Sequence, residues 1–453
     1  MMPHTLLGLG LLLSGVAAVR VPISNRLPRY NISGDIIPMQ FVWEDTITTE
    51  VDPAPAPAPA PAPASAVNVT FNNLAPRLSD TGEIVNAHDG TIRYIDGYWW
   101  LHAASYGAGE CMDPPATGCQ HVSPVNCGFQ PNHNVSIWKS KTMESGTWHY
   151  VGNAVECERA PDCDVLYRPH MVYNKKNNNY VLYYNYISKA GYGSRNGVAT
   201  APHPAGPWTI VAAAMKTARP MIPSNHNGSV GDFDVLVDGD DAYMVYSYGP
   251  MSIEKLDADF INSAVNDPHV NASFPGGDFG GTVLPTEFVE APSLWKRGGL
   301  YYLSTGHCCC FCWQGSGFIV YTAEHPSGPW HLQQGLSGDE DIGCGAANTS
   351  NPTPAEQHTL PLTAVASAGQ GCNYKGAVAA SISRAQQNFV FTVETTTGPV
   401  TVYTGDRWMQ AHDGKKAHEP QYWQPLQFAG HRPQPLKWVD SFTLEMLVPQ
   451  PDM

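Results

Sequence analysis

A turn followed by an aromatic-rich strand recurs five times along the chain, and no other feature constrains its fold as much. The copies are Asp96-Gly97-Tyr98-Trp99-Trp100, Asn178-Asn179-Tyr180-Val181-Leu182-Tyr183, Asp241-Ala242-Tyr243-Met244-Val245-Tyr246, Gly299-Leu300-Tyr301-Tyr302-Leu303 and Asn388-Phe389-Val390-Phe391. Asn, Asp and Gly tolerate the positive φ of a tight hairpin, and the aromatic and β-branched residues that follow suit a pleated, buried surface. A second element follows three of the copies: Ser145-Gly146-Thr147-Trp148, Ala205-Gly206-Pro207-Trp208 and Ser327-Gly328-Pro329-Trp330. The spacing of roughly 60 to 90 residues suits propeller blades with long inserted loops. No sustained helical periodicity interrupts the strands, and 42 glycines and 39 prolines fit an all-β chain rich in turns. The pattern predicts a five-bladed β-propeller, each blade a small antiparallel sheet around a central channel. A β-sandwich with large loops would supply the strands but gives no reason for two elements to repeat in one order.

The rest of the chain divides around this body. Residues 1–18 read as a secretory signal: Leu6 to Ala18 is mostly apolar, ends in small residues and falls short of the roughly 20 residues a spanning helix needs. Residues 19–52 form an N-terminal arm, and 53–65 alternate Pro and Ala as an extended polyproline spacer. The propeller is expected over 66–450. Eleven cysteines in an exported chain imply disulfides, with Cys111, Cys119 and Cys127 in one cluster, Cys157 and Cys163 in another, and the pairing open. The run Cys308, Cys309, Cys310 and Cys312 after His307 has zinc-ligand chemistry, but adjacent cysteines cannot all point at one ion, so disulfides are expected instead. Sequons begin at Asn31, Asn68, Asn134, Asn227, Asn271 and Asn348, as suits a secreted glycoprotein. A net charge of -15 repels phosphate backbones and acidic membranes, which leaves neutral partners such as sugars and excludes nucleic acid.

The chemistry is carried by acids. Glu290 in Glu290-Ala291-Pro292 precedes the strand Leu300-Tyr301-Tyr302-Leu303, and a carboxyl among apolar neighbours keeps its proton to higher pH, as a general acid must. Asp89 and Asp232 stand at matching places in earlier repeats. In an inverting glycosidase one carboxylic acid protonates the leaving oxygen while a carboxylate about 6.5 to 9.5 Å away activates water. A third carboxylate raises the acid's pKa by like-charge repulsion. Taken singly, Asp89 and Asp232 read as turn caps; taken together with Glu290 they read as a catalytic set.

Several segments resemble family-43 glycoside hydrolases: Glu290-Ala291-Pro292-Ser293-Leu294-Trp295-Lys296, Tyr167-Arg168-Pro169-His170-Met171-Val172-Tyr173-Asn174, Ile253-Glu254-Lys255-Leu256 and the Gly-Pro-Trp turns. Gly405-Asp406-Arg407-Trp408 and Tyr422-Trp423-Gln424-Pro425-Leu426 are similar to the exo-β-1,3-galactanase branch, and the resemblance runs from about Asn86 to about Phe428. It implies a five-bladed propeller, an inverting mechanism, Asp89 as base, Asp232 as the pKa-modulating Asp with Asp234 its nearest rival, and Glu290 as acid. It also implies a polysaccharide or oligosaccharide substrate from plant or algal cell walls, of galactan, arabinan or xylan type. The branch generally has Gly where this chain has Asp89, and a last-blade Gln, matched by Gln386, that handles the water. It also has Glu where this chain has Tyr167. Arg168 matches a substrate-contacting Arg, and His88, Trp313 and Gln386 complete the candidate sugar-binding set. His88 is expected to orient Asp89, and Trp313 to stack on a sugar or pack in the core. No cofactor is expected; calcium in the central channel, as some relatives have, is left open, with no clear ligand motif for it here. A propeller that binds glycan without turnover is the competing function.

Overall fold

The computed structural model describes residues 64–106, 133–160, 163–188, 194–217, 231–247, 251–264, 282–284, 289–307, 315–333, 372–374, 377–379, 381–408, 410–413 and 415–449. Within them lie four four-stranded antiparallel sheets and one five-stranded sheet, the expected propeller. The first strands of blades 1 to 4 are His88–Ile95, Cys163–Asn174, Phe233–Asp238 and Val289–Arg297, and that of blade 5 is Gln386–Thr395. Each packs on the next, and Gln386–Thr395 packs back on His88–Ile95, so the five close a ring.

Local chemistry sets the hairpins. Asp96 and Gly97 both have positive φ, 49° and 82°, the pattern of a two-residue turn whose twist matches its strands. The strand Asn179–Ser188 then shows why these elements are aromatic on both faces. Tyr183 joins Phe233, Met244 and Tyr246 between blades 2 and 3, while its neighbours Leu182 and Tyr184 join Val135, Leu166 and Met171 between blades 1 and 2. Successive strand residues point to opposite faces, and in a stacked blade both faces are interfaces.

The ring is fastened by the two ends of the described segment. Strand Ala64–Asn72 pairs antiparallel with Ser441–Pro449 and joins the blade 5 sheet. The closing strand therefore begins at Ala64, inside the segment expected to be spacer. Asn73 imitates a strand residue: its amide donates to Trp423 O and Val439 O at 2.9 and 3.0 Å, and its Oδ1 accepts from the Trp423 N–H at 3.0 Å. The Arg77 guanidinium lies 3.7 Å above the Trp423 ring, which adds a cation–π contact to the fastening.

Cys157 and Cys163 are joined by a disulfide at the entry to blade 2. The other cysteine clusters lie outside the described residues, apart from the backbone of Cys372.

Candidate active site

Four of the five first strands carry a β-bulge in which two residues face one. His88 pairs with Ala104 and Thr91 with His102; Tyr167 with Asn185 and His170 with Tyr183; Glu290 with Gly306 and Ser293 with Ser304; Gln387 with Gly405 and Val390 with Tyr403. Asp89, Arg168 and Ala291, the first bulged residues of blades 1, 2 and 4, have φ of 40°, 49° and 53°. Left-handed backbone costs a non-glycine residue about 1 kcal/mol or more, so the surroundings must hold it. At Gly90 the close approach is plain: a Cβ there would lie 2.1 Å from His102 O. Bulges re-aim side chains where they occur, and these collect the polar groups at one place.

Arg168 and Asp232 form the centre. The Arg168 Nε lies 2.9 Å from Asp232 Oδ1, with side chains 2% and 12% exposed. Asp232 Oδ2 accepts from the Ala291 N–H at 3.2 Å and from the Gln386 amide at 3.4 Å, and Gln386 Oε1 in turn accepts from the Trp408 indole at 2.8 Å. Glu290, half-buried, immediately precedes Ala291. On the other side of Arg168, its main-chain N–H donates to Asp89 Oδ2 at 2.9 Å. Asp89, Asp232 and the Glu290-Ala291 bulge are thus joined through a single arginine. Burial by itself would lower the Arg168 pKa, but the charges of Asp232 and Asp89 more than reverse this, and it stays cationic.

Asp89 is 3% exposed, and its Oδ1 accepts from the Tyr106 hydroxyl at 2.9 Å. Its N–H donates to Asp406 Oδ2 at 3.0 Å. Burial raises the pKa of Asp89, against the opposing charge and hydrogen bond of Arg168. Burial, followed by the Asp89 charge, lifts Asp406 to about 7.

Residues 124–337 match the family model of glycosyl hydrolases family 43. The segment is just under half of the chain, contains Arg168, Asp232 and Glu290, and supports the enzyme class read from the motifs, a glycosidase of O-glycosyl bonds. No curated protein matches the sequence. Among solved structures, an exo-β-1,3-galactanase from Clostridium thermocellum superposes with a TM-score of 0.57 at 20% identity, over 84% of this chain and 68% of that one. An exo-β-1,3-galactanase from Phanerochaete chrysosporium, solved with galactose, gives 0.53 at 20% identity, over 83% and 69%. At such identity the likeness establishes the shared fold.

Asp89 and Gln386 lie outside the family-43 segment, yet the fold brings both to the arginine and aspartate at its centre. Asp234 stands apart. It is fully buried, pairs with His170 at 2.8 Å and accepts from Ser293 Oγ and the Leu294 N–H at 2.9 and 2.8 Å, tying three blades together. The matching of Glu290 with Asp89 is corrected by one residue: by register Glu290 corresponds to His88, and Asp89 to Ala291. His88 is also corrected. It is fully buried, stacked on Tyr106 at 4.9 Å with Trp408 at 5.8 Å, and burial, with the Lys416 charge, lowers its pKa to about 3. It is a neutral core ring and presents no surface to a sugar. Trp313 lies outside the described residues. Among the described residues no group of three or more His, Cys, Asp or Glu is arranged to hold a metal.

Three partners were missed. Gln387 donates to Ala291 O and Ser304 O at 2.7 and 2.9 Å and so fixes the bulge after Glu290. Tyr106 and Asp406 hold Asp89. Asp406 stood within a quoted motif, but nothing in the motif says which residue it holds.

Proposed function

We propose that this glycosidase is an inverting exo-acting or side-chain-trimming enzyme of a cell-wall polysaccharide, with β-1,3-galactan first among its substrates. The observation that carries the proposal is the Asp232 carboxylate, joined to Arg168, to Gln386 and to the main chain next to Glu290. Glu290 is the general acid, since it is half-buried and immediately precedes Ala291, whose N–H donates to Asp232. Asp232 is the carboxylate whose charge keeps the acid protonated and whose contact with Ala291 fixes its main chain. Asp89 is the base. Tyr106 and the Arg168 amide use two of its lone pairs, and burial raises its basicity toward working pH. Gln386, one hydrogen bond from Asp232, steers the attacking water. The preference for galactan rests on the two fungal and bacterial exo-β-1,3-galactanases that share the fold.

The decisive experiment is product analysis on β-1,3-galactan, arabinan and xylan, with NMR of the first anomer released. Inverted galactose from the chain end supports the proposal. Retained configuration would end the assignment of Asp89, and binding without any release would return the molecule to a glycan-binding propeller. We also place the protein outside the cell, because the Cys157–Cys163 disulfide needs an oxidising compartment. N-terminal sequencing of secreted protein, expected to begin near residue 19, tests this.

A further inference from the structure

Behind the site, between blades 5 and 1, lies a buried polar group that the mechanism does not use. Asp406 ends the strand Gly398–Asp406, is 1% exposed and sits 317 residues from Asp89. Its Oδ2 accepts the Asp89 N–H at 3.0 Å and its Oδ1 accepts the Gln421 amide at 3.2 Å. The neutral His88 ring lies 3.9 Å away. Beside them the Lys416 ammonium is also fully buried, 3.5 Å over Trp408 and paired with Glu419 at 2.6 Å. The hydrogen bond from Asp89 matters because Asp89 is left-handed: its amide must find an acceptor that the regular ladder does not offer, and Asp406 is that acceptor. The Asp89 carboxylate then fixes the Arg168 amide, and Arg168, also left-handed, faces Asp232.

We propose that Asp406 is a positioning residue for the reaction: by accepting the Asp89 amide it holds the blade 1 bulge, and through Asp89 it aims Arg168 at Asp232. It touches no substrate, and its effect on rate rests on the site reading given above. A displacement of about 1 Å in a reacting group can cost about 100-fold in rate.

The test compares Asp406→Ala with Asp406→Asn on β-1,3-galacto-oligosaccharides, together with crystal structures of both. In D406A kcat is expected to fall by about 100-fold with little change in KM, and the Arg168–Asp232 contact to open beyond hydrogen-bonding distance. D406N keeps an oxygen for the Asp89 amide and is expected to recover most of the loss. Equal losses in the two variants, a loss carried by KM, or an intact Arg168–Asp232 pair in D406A overturns the proposal. If D406A does not fold, D406N decides: it must retain both contacts and most of kcat, and a large fall in kcat with both contacts intact overturns it. If the unmutated enzyme turns over no glycan, the functional assignment fails, whereas the two structures still test the positioning.

Discussion

Blades 1 and 4 share a bulge, register and left-handed first residue, yet blade 1 buries its carboxylate at 3% exposure while blade 4 leaves Glu290 half-exposed. The offset is one residue. In blade 4 the strained position is Ala291, so the carboxyl precedes it and stays half-buried. In blade 1 the strained position is Asp89 itself, gripped by Tyr106, Arg168 and Asp406. The same backbone device thus leaves a carboxyl half-buried or buries it, according to which bulge residue carries the charge.

The largest effect expected from this contrast is in catalysis. Glu290→Gln should lower kcat on unactivated galactan by about 10²- to 10⁴-fold, and far less on an aryl glycoside whose leaving group needs no proton. Equal losses on both would break the assignment of blade 4 as the acid side.

Blade 1 should respond in stability as well. Asp89→Gly removes the left-handed strain but strips the acceptor from the Tyr106 hydroxyl and the Arg168 amide, a cost of about 1 to 3 kcal/mol in urea unfolding. If D89G proves as stable as the parent, the buried grip on Asp89 is wrong.

The pH dependence sharpens the same point. Asp406 ionises at about 7 in the fold against 3.8 normally, so the native state holds a proton that the unfolded chain releases. Its contribution is complete below 3.8 and is lost as pH rises through about 7. The stability of the parent relative to D406N should therefore fall between pH 4 and 7. His88 and His102 act with the opposite sign: burial lowers them to about 3 and about 4 from 6.5, so both remove stability as pH falls below 6.5. Only the difference between the two proteins isolates Asp406, and a flat difference would contradict its raised pKa.

The smallest effect belongs to Ala291→Gly. It matches D89G in register and relieves the same strain, but no side-chain hydrogen bond is lost and the backbone bond to Asp232 is kept. Its stability should change by less than about 1 kcal/mol, since the relief is offset by glycine's added unfolded-state entropy.

Much of the architecture was legible because blades are local. Each hairpin joins strands adjacent in sequence, so turn residues and alternating aromatics mark it without reference to the rest of the chain. The closing strand was less legible: Ala64–Asn72 finds its partner at Ser441–Pro449, and part of it was assigned to the spacer. Glu290, Asp232 and Arg168 were legible as motifs. The false match of Glu290 with Asp89, and the surface role given to His88, came from spacing that cannot register a bulge.

The sequence by itself determined that five hairpins would form and which acids were available, because turn propensity and strand alternation act over a few residues. Which acid stays half-buried and which is buried at the bulge was decided only in three dimensions. There one extra residue in a strand turns a side chain to the other face, and a main-chain amide in blade 1 is met by a carboxylate from blade 5.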